Sequence, residues 1–171
     1  MSTVYKYDLN EGLEVISKDL INNSITLPLS QISIKASDGK CLIQMKHIYQ
    51  AVYGMGERFN QVNQKGLTVK AEVIEKFCNQ DDVSYCPVPF FFTDNSFGIF
   101  VDTFTVTQFS FKDDIQISIS RDSLGRWPVV YFFNGTPKDI ITAYSDITGR
   151  PSITPKWSFG PWMSANRSEE H

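Results

Sequence analysis

The sequence predicts an all-β fold, an antiparallel β-sandwich closed by one helix near its carboxyl end. Three observations carry this. Apolar and polar residues alternate through much of the chain, as in Ile115, Ile117 and Ile119 against Gln116, Ser118 and Ser120, the pattern of a half-buried strand. Phenylalanine is abundant, 13 of 171 residues, and aromatic and β-branched side chains favour strands. The apolar period then lengthens from two to about 3.6 in one segment, after Thr136.

The elements follow in order. "SITLPLSQISIKAS" alternates through Ile25, Leu27 and Leu29, then Ile32 and Ile34. Pro28 interrupts it, which suits an edge strand or a bulge. A turn at Asp38-Gly39 leads into "GKCLIQMKHIYQAVYG". "VPFFFTDNSFGIFVDTF" reads as a hairpin turning at Asp94-Asn95-Ser96, residues whose side chains bond their own backbone in turns. A second hairpin turns at Lys112-Asp113-Asp114, and "RWPVVYFFNG" closes at Asn134-Gly135. The sandwich is expected from about Val4 to Asn134. In "TPKDIITAYSDITGRP" Thr136 suits an N-cap, Pro137 the first helical position and Gly149 the stop, so a helix is predicted over Pro137 to Thr148. Its expected apolar stripe is Ile140, Ile141, Tyr144 and Ile147. The chain thus divides into a sandwich over 1–135, a linking helix over 136–150 and a short apolar and polar tail over 151–171.

Composition limits the function. Charged residues make up 20% and the net charge is −3, which argues against nucleic acid or an anionic membrane as partner. Three cysteines, Cys41, Cys78 and Cys86, lack CxxC spacing, so neither a disulfide framework nor a metal site is expected. No signal-peptide pattern opens the sequence and no run suits a membrane span. A cytoplasmic setting is expected, with the sequons at Asn22 and Asn134 occurring by chance. His47 and His171 are the only histidines, and no Ser/His/Asp arrangement is predicted. The adjacent pairs Asp81-Asp82 and Asp113-Asp114 would point to opposite faces of extended backbone, so neither is expected to flank one bond.

"YGMGERFNQVNQKG", Tyr53 to Gly66, poses the sharpest question. A glycine-rich loop cradles phosphate where a strand runs into a helix. This one lacks a third fingerprint glycine and runs into a polar stretch. The favoured reading is a tight, bulged turn whose glycines supply positive φ or close backbone approach. Glu57 and Arg58 would then form a local ion pair or hydrogen-bonding struts.

Taken with "VPFFFTDNSFGIFVDT" and "TPKDIITAYSDITGRPSITPKWSFGPWMS", this stretch resembles the amino-terminal region of glycoside hydrolase family 31, the α-glucosidases and α-xylosidases. The resemblance runs from Tyr53 to Ser164. It implies a galactose-mutarotase-like sandwich carrying the structural motif Gly54, Gly56, Glu57, Arg58 and Phe59, followed by the first strand of a (β/α)8 barrel. That family retains configuration with two carboxyl groups about 5–5.5 Å apart, both borne by the barrel. A barrel takes about 250 residues, so the chain is expected to be truncated at the barrel's start. No catalytic residue is expected in it, no cofactor is called for, and the chain alone should be inactive.

The resemblance also implies that the loop "VIEKFCNQDDVSYCPVPF" reaches toward the sugar. Asp81 and Asp82 are its candidate substrate-binding residues, with Trp162 a weaker one. Trp157, Phe159 and Trp162 are expected on the barrel strand. The expected partner is an oligosaccharide or an aryl or alkyl α-glycoside, bound through the barrel. The orphaned aromatic strand is also expected to pair with a second copy in a homodimer. A free-standing carbohydrate-binding module and an oligomerisation domain are the competing readings. The Trp-rich tail favours the enzyme domain.

Overall fold

The computed structural model describes residues 3–10, 12–14, 32–37, 39–76 and 80–162, with backbone alone at 12–14 and 37. The expected strand around Ile25 to Leu29 lies outside them, as do Cys78, Asn79 and His171.

Among the described residues, eleven strands and one α-helix follow in order: β1 Thr3–Asp8, β2 Gly12–Glu14, β3 Ile32–Ser37, β4 Lys40–Met45, β5 Val52–Gly56, β6 Thr68–Ala71, β7 Pro87–Thr93, β8 Phe97–Asp102, β9 Thr107–Phe111, β10 Ile115–Ser120, β11 Val129–Asn134 and α1 Pro137–Thr148. One sheet runs β2-β1-β11-β8-β7-β5 and the other β3-β4-β10-β9-β6. Every pairing of strands is antiparallel. This is the predicted sandwich, with turns where the local chemistry indicated them.

The alternating residues face inward. Cys41, Ile43 and Met45 of β4, Phe109 and Phe111 of β9, and Ile115, Ile117 and Ile119 of β10 are buried. They meet Val52, Phe91, Ile99, Val101, Val130 and Phe132 of the opposite sheet. β8 is different, buried from Phe97 through Val101. Its outer face lies under α1, where Ile140 packs with Val4, Phe90, Phe100 and Phe133. Tyr144 stacks on Phe90 with ring centroids 4.1 Å apart. The helix begins as expected, with the Thr136 hydroxyl accepting from the Asp139 amide at 3.3 Å. Its stripe is narrower than expected. Ile140 is buried and Ala143 and Tyr144 are half-buried, while Ile141 and Ile147 are exposed. Ile141 is turned away around the helix and Ile147 falls in its last turn.

The expected barrel strand is corrected. Lys156–Phe159 forms a 3-10 turn, and Met163 onward lies outside the described residues. The turn closes on itself: the Ser158 amide donates to Pro155 O at 3.0 Å, Gly160 N to Trp157 O at 3.1 Å, and Trp162 Nε1 to Ser158 O at 2.7 Å. Pro151, Pro155 and Pro161 bring no N–H to a ladder, and no described strand pairs with the segment. Its aromatic side chains are therefore exposed, Trp157 at 74%, Phe159 at 80% and Trp162 at 73%.

One end of the sandwich holds the connection from β4 to β5 onto the β7–β8 turn. The Asp94 carboxylate accepts from the Gln50 and Ala51 amides at 3.0 and 3.1 Å, bonds that draw its pKa below the usual range. His47 lies nearby, 3.3 Å from Thr93 Oγ1 and against the Phe97 ring. Burial lowers its pKa below 6.5. The unfolded chain therefore takes up a proton first, and stability falls as pH drops through 6.5 until the lowered folded value is passed. We expect His47→Gln to flatten that part of the profile of Tm against pH. An unchanged slope would show that His47 does not titrate with folding.

Candidate sugar-facing loop and its anchor

The stretch Tyr53 to Gly66 runs from the end of β5 into the connection to β6. Gly54 and Gly56 lie in β5 itself, which carries a bulge between them where the pairing with β7 slips. Three successive residues have positive φ: Gly54 at 115°, Met55 at 71° and Gly56 at 78°. The bulge buries the Met55 side chain fully and presses the backbone onto β7. A Cβ on Gly54 would sit 2.5 Å from Phe90 O, and one on Gly56 would sit 2.3 Å from Cys86 O and 2.5 Å from Val88 N. Both glycine roles read from the sequence, positive φ and close approach, hold at these two positions.

The polar half of the motif serves the backbone. Asn63 Oδ1 accepts from the Val52 and Lys65 amides, each at 3.0 Å. Lys65 Nζ donates to Tyr49 O at 2.8 Å. The buried Gln64 donates its side-chain amide to Asn60 Oδ1 and Gln61 O. Of the amides a phosphate would need, Glu57 N is committed to Cys86 O.

Arg58 is the strut. Its Nε donates to Met55 O at 3.1 Å, Nη1 to Asp82 O at 3.1 Å and Nη2 to Lys70 O at 2.8 Å. One guanidinium thereby joins the bulge, the end of β6 and the loop that returns from β6 to β7. Burial draws Arg58 below its ordinary pKa, and the charge of Asp82 opposes that. The expected ion pair with Glu57 does not occur among the described residues. Glu57 is exposed. Phe59 packs at the loop's base against Tyr85, ring centroids 6.3 Å apart.

The loop is braced further by a parallel bridge between Val73 and Ser84 and by the Val83 amide bonding Gln80 O at 2.9 Å. Asp81 takes positive φ at the turn, 51°, and this separates the two candidate aspartates. Asp81 is solvent-facing, its side chain 75% exposed and 3.6 Å from Lys76 Nζ. Asp82 lines a cavity of about 300 Å³ with Thr68, Lys70, Glu72, Val83 and Gln108. Thr68, Lys70 and Gln108 occupy the outward positions of β6 and β9, legible in their alternation but not as a site. Lys70 and Glu72 pair at 3.9 Å. The lining offers hydroxyl, amide, ammonium and carboxylate groups, a set that suits hydrogen bonding to sugar hydroxyls. Trp162 is not part of it. Asp113 and Asp114 lie at the opposite end of β9, where Asp114 accepts from Gln44.

We expect Arg58→Lys to cost about 2 kcal/mol, since a charged hydrogen bond contributes about 1.5–3 and an ammonium cannot span three carbonyls. Hydrogen exchange should speed up at Ile74 and Val83, whose amides bond within the loop. Unchanged exchange there would mean that the loop stands without its strut.

No helix among the described residues is long and apolar enough to cross a membrane. No group of three or more His, Cys, Asp or Glu positioned for a metal occurs among them.

Two sheets packed face to face with a bulged, arginine-braced loop at one end define a galactose-mutarotase-like sandwich. Residues 36–109 match the Glycosyl hydrolase 31 N-terminal galactose mutarotase-like domain. The chain belongs to glycoside hydrolase family 31 and carries that family's amino-terminal domain. It is 33% identical over 120 residues to an isomaltosyltransferase of Sporosarcina globispora, a match covering 67% of the chain and 11% of the relative. It is 30% identical over 133 residues to the α-xylosidase XylQ of Lactiplantibacillus pentosus, covering 72% and 16%. An uncharacterised protein of Listeria monocytogenes EGD-e, crystallised with α-D-glucose, β-D-glucose, magnesium and calcium, matches in structure with a TM-score of 0.67 and 32% identity. That match covers 74% of the chain and 13% of the neighbour. The chain therefore spans less than a fifth of the length of these relatives.

Proposed function

We propose that this sandwich is the non-catalytic amino-terminal domain of a retaining α-glycosidase acting on α-glucosides or α-xylosides. It supports the barrel and contributes the loop over 72–86 to the sugar pocket. The tie between Arg58 and that loop carries the reading, because it holds Asp82 at the cavity by its own backbone carbonyl. A carboxylate accepts hydrogen bonds from sugar hydroxyls, and a braced loop holds it without an ordering cost at binding. The relatives support the α-linked substrate class by name. A cytoplasmic setting belongs to the same proposal. So does self-association through Trp157, Phe159 and Trp162, which light scattering on this chain and on one ending at Pro155 would detect.

The purified chain is expected to turn over neither an aryl α-glucoside nor an aryl α-xyloside, because it holds no barrel carboxylates. In the enzyme that carries the barrel, Asp82→Asn should raise KM about tenfold with kcat little changed, the signature of lost uniform binding. Asp81→Asn should leave both near wild type. Turnover by the chain alone would overturn the non-catalytic assignment, and an unaltered KM in Asp82→Asn would overturn the role of the loop.

A further inference from the structure

A second cavity opens at the same end of the sandwich. The register puts Asp8 and Asp102 on either side of Val129, so the turn after β1, the β8–β9 connection and the β10–β11 loop converge there. They enclose about 300 Å³, lined by Asn10, Asp102, Phe104, Asp122, Arg126 and Trp127 among others.

Each wall is fixed by side chains bonding backbone. Asn10 donates to Trp127 O at 3.0 Å and accepts from Trp127 N at 3.1 Å. Asp122 Oδ1 accepts from the Leu124 and Arg126 amides at 2.9 and 2.8 Å, and its Oδ2 holds Arg126 Nε at 2.8 Å. Thr105 bonds Thr103 Oγ1 through its amide at 3.0 Å and Ser120 O through its hydroxyl at 3.2 Å. Between those two threonines stands Phe104, 109% exposed. A fixed turn thus presents a whole phenyl ring to solvent beside a cavity of mixed polar and apolar lining.

We propose that this cavity binds a small neutral polyhydroxylated ligand, an α-linked disaccharide. Phe104 offers an apolar face for the C–H side of a sugar ring. Asp102 engages in no hydrogen bond or ion pair among the described residues, and its carboxylate can accept from hydroxyls. Arg126 spends Nε and Nη2 on Asp122 and keeps Nη1 to donate. Two carboxylates against one guanidinium disfavour phosphates and other anions. The volume lies at the small end of the range for small-molecule sites, about 300–1,000 Å³. The choice of α-linked sugars rests on the function proposed above. The cavity and its chemistry do not.

The test is titration of the whole chain with maltose and with isomaltose, followed by NMR of the side-chain N–H resonances of Asn10, Trp127 and Arg126. Saturable shifts at these three groups are expected with at least one sugar. Phe104→Ala and Asp102→Asn should each weaken binding about tenfold without moving the urea midpoint, since both side chains are exposed. Asp82→Asn should leave this binding unchanged, which separates failure here from failure of the glycosidase reading. The proposal is overturned by the absence of saturable shifts with both sugars, or by binding that survives both cavity variants.

Discussion

Gly56→Ala should destabilise the sandwich by roughly 2–5 kcal/mol, combining left-handed strain of about 1–2 with overpacking of about 1–3. The added methyl would meet Cys86 O at 2.3 Å, Val88 N at 2.5 Å and Pro87 C at 2.9 Å, all backbone atoms. No rotamer change relieves such a contact. Either β5 leaves β7 or the bulge reforms with Met55 out of the core. The urea midpoint should fall accordingly, and Tm should drop by roughly 4–20 °C. Gly125→Ala is the control. Gly125 also has positive φ, 76°, but nothing lies within 4 Å of a Cβ built there. It should lose only the strain, about 1–2 kcal/mol. Equal losses at the two positions would show that close approach contributes nothing at Gly56.

Phe91→Ala is the second large effect. Phe91 is fully buried and meets the opposite sheet edge-on, its ring centroid 4.9 Å from Phe111 and 6.0 Å from Phe109. Truncation removes the contact that joins the two sheets at this point and leaves a cavity that flanking strands cannot collapse into. The expected cost is about 3–5 kcal/mol. Phe104→Ala, at a fully exposed ring, should stay within about 0.5 kcal/mol of wild type. A small loss at Phe91 would mean that the sheets repack readily.

What the sequence made legible was local. Thr136, Pro137 and Gly149 bound the helix because capping acts within one turn of it. Asp94-Asn95-Ser96 and Lys112-Asp113-Asp114 marked hairpins because turn chemistry lies in the turning residues. Sites that depend on distant backbone were only partly legible. The glycines of Tyr53 to Gly66 were read for the right reasons, yet the bulge inside β5 is dictated by Phe90, Cys86 and Val88, which are remote in sequence. Arg58 could be read as a strut, but its three carbonyls, at Met55, Lys70 and Asp82, could not. The choice between Asp81 and Asp82 depends on one positive φ. The segment after Pro155 misled because aromatic content suggests a strand, whereas proline placement and local bonds set a 3-10 turn. Burial of β8 on both faces was likewise invisible, since it comes from the helix docked on it.

The pairing of β1 with β11 joins Val4 to Phe133 and Thr3 to Asn134. On the ribosome, β1 therefore waits for β11, about 125 residues later. Until residues 129–134 emerge, β1 lacks that neighbour and β8 lacks one of its two. Chains dominated by such distant pairings fold slowly, and unpaired strand edges are then open to other chains. Synthesis of this domain thus passes through a vulnerable interval whose length is set by the translation rate, and chaperone occupancy should concentrate there.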